Sequence, residues 1–200
     1  MSIRNTYPFY LLRNIHSWIQ WRRRRFEAPS PVSIKRTVLL RNGFPDSTWI
    51  ETGTYLGETT RFLAKRSRFV YSLEPEATLF RNAREMFKGD SKVQIIHGTS
   101  ETVLPNLLPT LEGDVNFWLD GHCSAGLTFQ GPQNTPIAEE LSCIAQNLAH
   151  FHRVCVLIDD IRQFVRNSDQ GYPPLDFLVA WAADNNFQWH IEHDIFVAKN

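Results

Sequence analysis

From Thr48 to Asn200, short runs rich in β-branched and aromatic residues alternate with amphipathic stretches, and few folds accept that order. "TWIETG" reads as a strand entering a glycine turn, and "ETTRFLAKR" as the helix after it. "RFVYSLE" is a second strand, and residues 76–88 place Leu79, Phe80, Ala83, Met86 and Phe87 on one helical face. "KVQIIHG", "ETVLPNLL" and "VNFWLDG" repeat the pattern as strand, short helix and strand. Residues 136–149 carry Ile137, Leu141, Ile144 and Leu148 as a helical stripe, and "VCVLIDD" is the fifth strand. A helix over 174–184 uses Leu175, Leu178, Val179 and Ala182. "FQWHIEH" and "IFVAKN", separated by Asp194, form a closing antiparallel pair. Strands alternating with helices imply an α/β fold: a doubly wound, mostly parallel seven-stranded sheet with helices on both faces.

The residues before this unit differ from it. "PFYLLRNIHSWIQW" places Leu11, Ile15, Trp18 and Ile19 at helical spacing, "RRRR" follows, and "EAPSPVS" reads as a linker. A short helix follows from Val32 to Asn42. Residues 1–41 hold nine basic side chains and one acid, Glu27, so a leader of net +8 precedes a body of net −8. We therefore divide the chain into a basic helical N-terminal extension (1–44) and a ligand-binding domain (45–200). The 30 N-terminal residues fit peripheral contact with an anionic membrane face, or contact with a second subunit. Nucleic acid is not expected as a partner, because the body is acidic. No apolar run is long enough to cross a bilayer, and no signal-peptide pattern is present. Three scattered cysteines without a CxxC pair suggest reduced thiols and a cytoplasmic setting.

In parallel α/β sheets ligands bind beyond the carboxyl ends of the strands. The first strand ends in "ETGTYLGETT", where Gly53 and Gly57 permit a tight turn and the next helix offers free amides. The full GxGxxG dinucleotide pattern is absent. Glu74 ends the second strand and suits the two hydroxyls of a ribose. After the third strand, Ser100 caps the short helix or meets an adenine edge; Thr99 is the other capping candidate. Asp120 and His122 end the fourth strand. The fifth ends in Asp159 and Asp160, two adjacent carboxylates that call for a positive partner. With Asp120 they suit a hard divalent ion such as Mg²⁺.

This ordered set resembles the class I S-adenosylmethionine-dependent methyltransferases, and within them the metal-dependent catechol and sugar O-methyltransferases. The resemblance covers residues 45–200 and implies a Rossmann-like sheet. "ETGTYLGETT" is similar to the family's first motif, with Glu51, Gly53, Tyr55, Gly57 and Thr59 at matching places. Glu74 matches the ribose-binding acid, and Ser100 the serine that meets adenine. Asp120, Asp159 and Asp160 fall on the metal-ligand positions, and "LDGHCSAGLTFQG" with "TPIAEEL" resembles uncharacterised bacterial members. One departure stands out: Cys123 occupies the place of the catechol enzymes' basic lysine.

The resemblance implies transfer of a methyl group from S-adenosylmethionine to a hydroxyl of a small polyol-like acceptor (a sugar or catechol), assisted by a divalent metal such as Mg²⁺. Asp120 would serve both cofactor and metal. With Cys123 in the lysine's place, His122 is the candidate base and Asp120 its competitor. Three other readings stay open: a metal-independent methyltransferase, a dehydrogenase, and a binding protein without catalysis on the same fold.

Overall fold

The computed structural model describes residues 7–120, 135–166, 168 and 171–200, with only the helical backbone over 7–13. Seven strands form one sheet in the order β3-β2-β1-β4-β5-β7-β6. They are β1 (Thr48–Thr52), β2 (Phe69–Glu74), β3 (Val93–His97), β4 (Gly113–Leu119), β5 (Phe151–Ile158), β6 (Gln188–Glu192) and β7 (Ile195–Lys199). The first five run parallel, and β7 is antiparallel to both β5 and β6. The Rossmann-like sheet with a closing antiparallel pair is therefore as the sequence implies.

Among the described residues seven α-helices accompany the strands: α1 (Tyr7–Arg23), α2 (Val32–Asn42), α3 (Glu58–Ala64), α4 (Ala77–Phe87), α5 (Ser100–Leu107), α6 (Ile137–Asn147) and α7 (Leu175–Asp184). One face of the sheet packs Phe117, Val156 and Phe196 against Leu104, Leu141, Ile144 and Leu178 of α5, α6 and α7. The other face packs Trp118, Leu157 and Val197 against Val38 and Leu39 of α2 and Leu63 of α3. The central strands are largely apolar because both faces are covered, with Glu51 of β1 and Asn116 of β4 as buried polar exceptions. α2, placed by sequence in the basic extension, thus contributes to the sheet's second core. Buried Asn116 of β4 ties down the chain entering β1, bonding both backbone groups of Phe44 and the Ser47 hydroxyl.

The leader divides in its packing. Trp21 is buried edge-on against Phe26 and His193, while Ile15, Trp18 and Ile19 stay exposed. Trp18 still donates its indole N–H to the Ser33 hydroxyl at 3.0 Å. Among the described residues no helix is long and apolar enough to cross a membrane.

Candidate active site

Register places the site. Thr52 of β1 pairs with Leu73 of β2 and Leu119 of β4, and Leu119 pairs with Ile158 of β5. One residue further, Gly53, Glu74, Asp120 and Asp159 stand in a row along the carboxyl rim of four strands. Local sequence makes each strand stop there. Gly53 (φ 98) and Gly57 (φ 70) turn the chain after β1, and Asp160 (φ 57) turns it after β5. Left-handed backbone is open to glycine and tolerated by aspartate.

The buried centre of this rim is Glu51. It pairs in register with Ser72, whose hydroxyl donates to Glu51 Oε2 at 2.6 Å, and Thr60 of α3 donates to the same oxygen at 2.5 Å. Burial pushes the Glu51 carboxyl up to about 7 despite these two donors, with Asp120 and Glu74 adding smaller repulsions. Thr59, expected at the cofactor, is half-buried, and the hydroxyl that reaches Glu51 is that of its neighbour Thr60. Thr60 and Ser72 were missed. Ser72 carries a signal of its own, a serine at an inward position of an apolar strand.

Glu74 accepts the Tyr55 amide at Oε2 (2.8 Å) and the Glu76 amide at Oε1 (3.0 Å). Its carboxyl is raised, chiefly by burial. Tyr55 itself is left-handed (φ 48), so Glu74 holds the tip of the glycine turn. Ser100 opens α5 and donates to Glu101 Oε2 at 3.3 Å; the residue preceding the helix is Thr99. Across the rim lies Glu140 of α6, within the "TPIAEEL" stretch but not singled out from it. Burial pushes it up to about 7, partly opposed by the Ser100 and Thr52 hydroxyls. Glu140, Asp120, Asp159, Phe164 and Tyr172 line a small cleft at the ends of β4 and β5.

Asp159 and Asp160 have their positive partner, and it is a side chain. Lys35 of α2 places Nζ 2.5 Å from Asp159 Oδ2 and 3.2 Å from Asp160 Oδ1. Arg162 Nη1 donates to Asp160 Oδ1 at 2.7 Å and also bonds Asp194 Oδ2. Asp159 Oδ1 accepts the Asp160 amide at 2.8 Å. Oxygens already engaged by an ammonium and a guanidinium do not fit a divalent ion. Among the described residues no group of His, Cys, Asp and Glu is arranged to hold one. The expectation of Mg²⁺ at Asp120, Asp159 and Asp160 is corrected accordingly. The sequence showed the need for a cation but could not reveal that a helix before β1 supplies it. His122 and Cys123 lie outside the described residues.

The donor set fits S-adenosylmethionine better than it fits a metal. A carboxylate oxygen has two lone pairs, so Glu74 can keep its amide bonds and still accept from a ribose. The Gly53–Gly57 turn lets a ligand approach backbone, and Ser100 stands at the next strand end.

No family model and no curated protein matches the sequence. Solved structures do. A Streptococcus mutans protein assigned as a methyltransferase, solved in complex with SAH, matches with a TM-score of 0.52 at 16% identity, over 86% of this chain and 97% of that one. A Clostridium thermocellum protein assigned as an rRNA methylase matches with a TM-score of 0.55 at 12% identity, over 84% and 95%. The 23S rRNA methyltransferase ErmE matches with a TM-score of 0.52 at 15% identity, over 84% and 66%. The fold is that of the class I methyltransferases. Glu51, Glu74 and Asp120 converge at the carboxyl rim, the edge at which parallel α/β sheets bind ligands.

Proposed function

We propose that this chain is an S-adenosylmethionine-dependent methyltransferase acting on a hydroxyl of a small acceptor. The observation that carries the reading is the row Gly53, Glu74 and Asp120 at successive strand ends, with Glu51 buried beneath it. When bound, the cofactor supplies a sulfonium methyl open to in-line attack, and positioning provides much of the rate. Glu74 would receive the ribose hydroxyls, and the Tyr55–Gly57 turn would close over the donor. Glu51 braces that turn through Thr60 at the start of α3. The acceptor hydroxyl would lose its proton to the Asp120–His122 stretch as it is methylated. Asp120 is the described carboxylate there, close enough to influence Glu51, Lys35 and Asp159.

The cleft at the ends of β4 and β5 is small and lined by Asp120, Glu140, Phe164 and Tyr172, which favours a small hydroxylated acceptor over a phosphate backbone. The exposed Arg22–Arg25 run and the rRNA assignments of two matched structures favour a second reading, an RNA acceptor. The test is release of S-adenosylhomocysteine from S-adenosylmethionine with a panel of polyols, catechols and rRNA fragments. Turnover with hydroxylated small molecules supports the first reading. Turnover with rRNA alone replaces it with the second.

A further inference from the structure

Among the described residues two cations reach the carboxylates that end β5, Arg162 from the turn just after the strand and Lys35 from α2, a helix that precedes the sheet. Lys35 sits in the first turn of α2, and α2 is fixed by Val38 and Leu39, buried to 0% and 1% exposure against Trp118, Leu157 and Val197. The lysine is thus positioned by core packing, unlike a surface side chain that swings freely. Its ammonium uses two donors, one on Asp159 Oδ2 and one on Asp160 Oδ1. A lysine has three. Its side chain keeps 17% exposure.

A divalent ion bound by Asp159 would lie about 2–2.5 Å from a carboxylate oxygen. Lys35 Nζ already stands 2.5 Å from Asp159 Oδ2. The two cations would compete for one position and repel each other strongly in a partly buried place.

We propose that Lys35 is the resident cation of this rim: its ammonium holds Asp159 and Asp160 and takes the place a divalent ion would otherwise occupy. The exclusion of a metal does not rest on the methyltransferase reading.

The experiment titrates the full chain with Mn²⁺ alone by calorimetry, and separately with S-adenosylhomocysteine as a check on fold and cofactor site. Mn²⁺ suits carboxylate and water ligands and needs only one or two carboxylates. The wild-type chain should show no stoichiometric Mn²⁺ binding, and Lys35→Arg should behave alike. Lys35→Met keeps the aliphatic stem and removes the charge; it should gain one Mn²⁺ site at least tenfold tighter, abolished by adding Asp159→Asn. If Lys35→Met does not fold, Lys35→Gln takes its place. Stoichiometric Mn²⁺ on the wild type that is lost in Asp159→Asn overturns the proposal. So does a folded Lys35→Met and Lys35→Gln pair with unchanged Mn²⁺ affinity. Failure of every variant, wild type included, to bind S-adenosylhomocysteine defeats the methyltransferase reading and leaves the Mn²⁺ result to judge Lys35.

Discussion

The Glu74 carboxylate accepts the Tyr55 amide at 2.8 Å, so the acid that ends β2 also fixes the turn that follows β1. Tyr55 is held there in left-handed backbone, a conformation that needs such support. One side chain thus couples the candidate ribose contact to the shape of the glycine turn.

Glu74→Ala should therefore weaken S-adenosylhomocysteine by about 1–3 kcal/mol, or roughly 5- to 150-fold, by loss of hydrogen bonds to a charged group. Glu74→Gln keeps a carbonyl for the Tyr55 amide and should lose less. Calorimetry on both variants checks the order, and faster amide exchange at Tyr55 in the alanine variant alone would report the loosened turn.

Glu51 makes a prediction about pH. Its folded-state pKa of about 7 lies above its ordinary value of 4.5. A carboxyl raised on folding adds stability that is complete below about 4.5 and is lost as pH rises through about 7. Glu51→Gln should flatten this decline while keeping a carbonyl acceptor for Thr60 and Ser72. The share attributable to Glu51 is on the order of 3 kcal/mol between pH 4 and 8. Urea midpoints across that range measure it. A wild-type chain that grows more stable from pH 5 to 8, with Glu51→Gln unchanged in slope, would contradict the assignment.

Gly57 and Gly89 should respond oppositely to alanine. At Gly57, φ is +70 and an added Cβ would lie 2.9 Å from the Phe87 ring. Left-handed backbone costs about 1–2 kcal/mol for alanine, before any shift of Phe87. Gly89 has open space around its Cα and no left-handed φ, so alanine there should be neutral or stabilising by up to about 1 kcal/mol. Denaturant unfolding of the two variants separates them. Gly57→Ala should also weaken the cofactor, since the turn it strains faces the ligand.

Much of the sheet could be read from local pattern. "TWIETG", "RFVYSLE" and "VCVLIDD" are buried on both faces and bounded by turn residues, and each became a strand within a few residues of its expected limits. Helix faces were less legible where an end projects from the core. Met86 was grouped with Ala83 and Phe87, yet it is 38% exposed while those two are buried. Ile15, Trp18 and Ile19 kept the helical spacing and are exposed, while Trp21, outside that stripe, is the buried anchor. Strand-end residues were legible because parallel strands all end on one edge of the sheet. Lys35 was not, since its meeting with Asp159 spans 124 positions and depends on how α2 packs on the sheet. Thr60 was displaced by one from the motif threonine because α3 begins at Glu58 and turns Thr60 inward toward Glu51.

The central claim is that the rim at Gly53, Glu74 and Asp120 is a cofactor site for methyl transfer. Calorimetric titration of the full chain with S-adenosylhomocysteine, beside a parallel titration with NAD, tests it most directly. One S-adenosylhomocysteine should bind per chain and be retained in EDTA, with no heat from NAD. A chain that binds NAD, or binds neither ligand while folded, would contradict it.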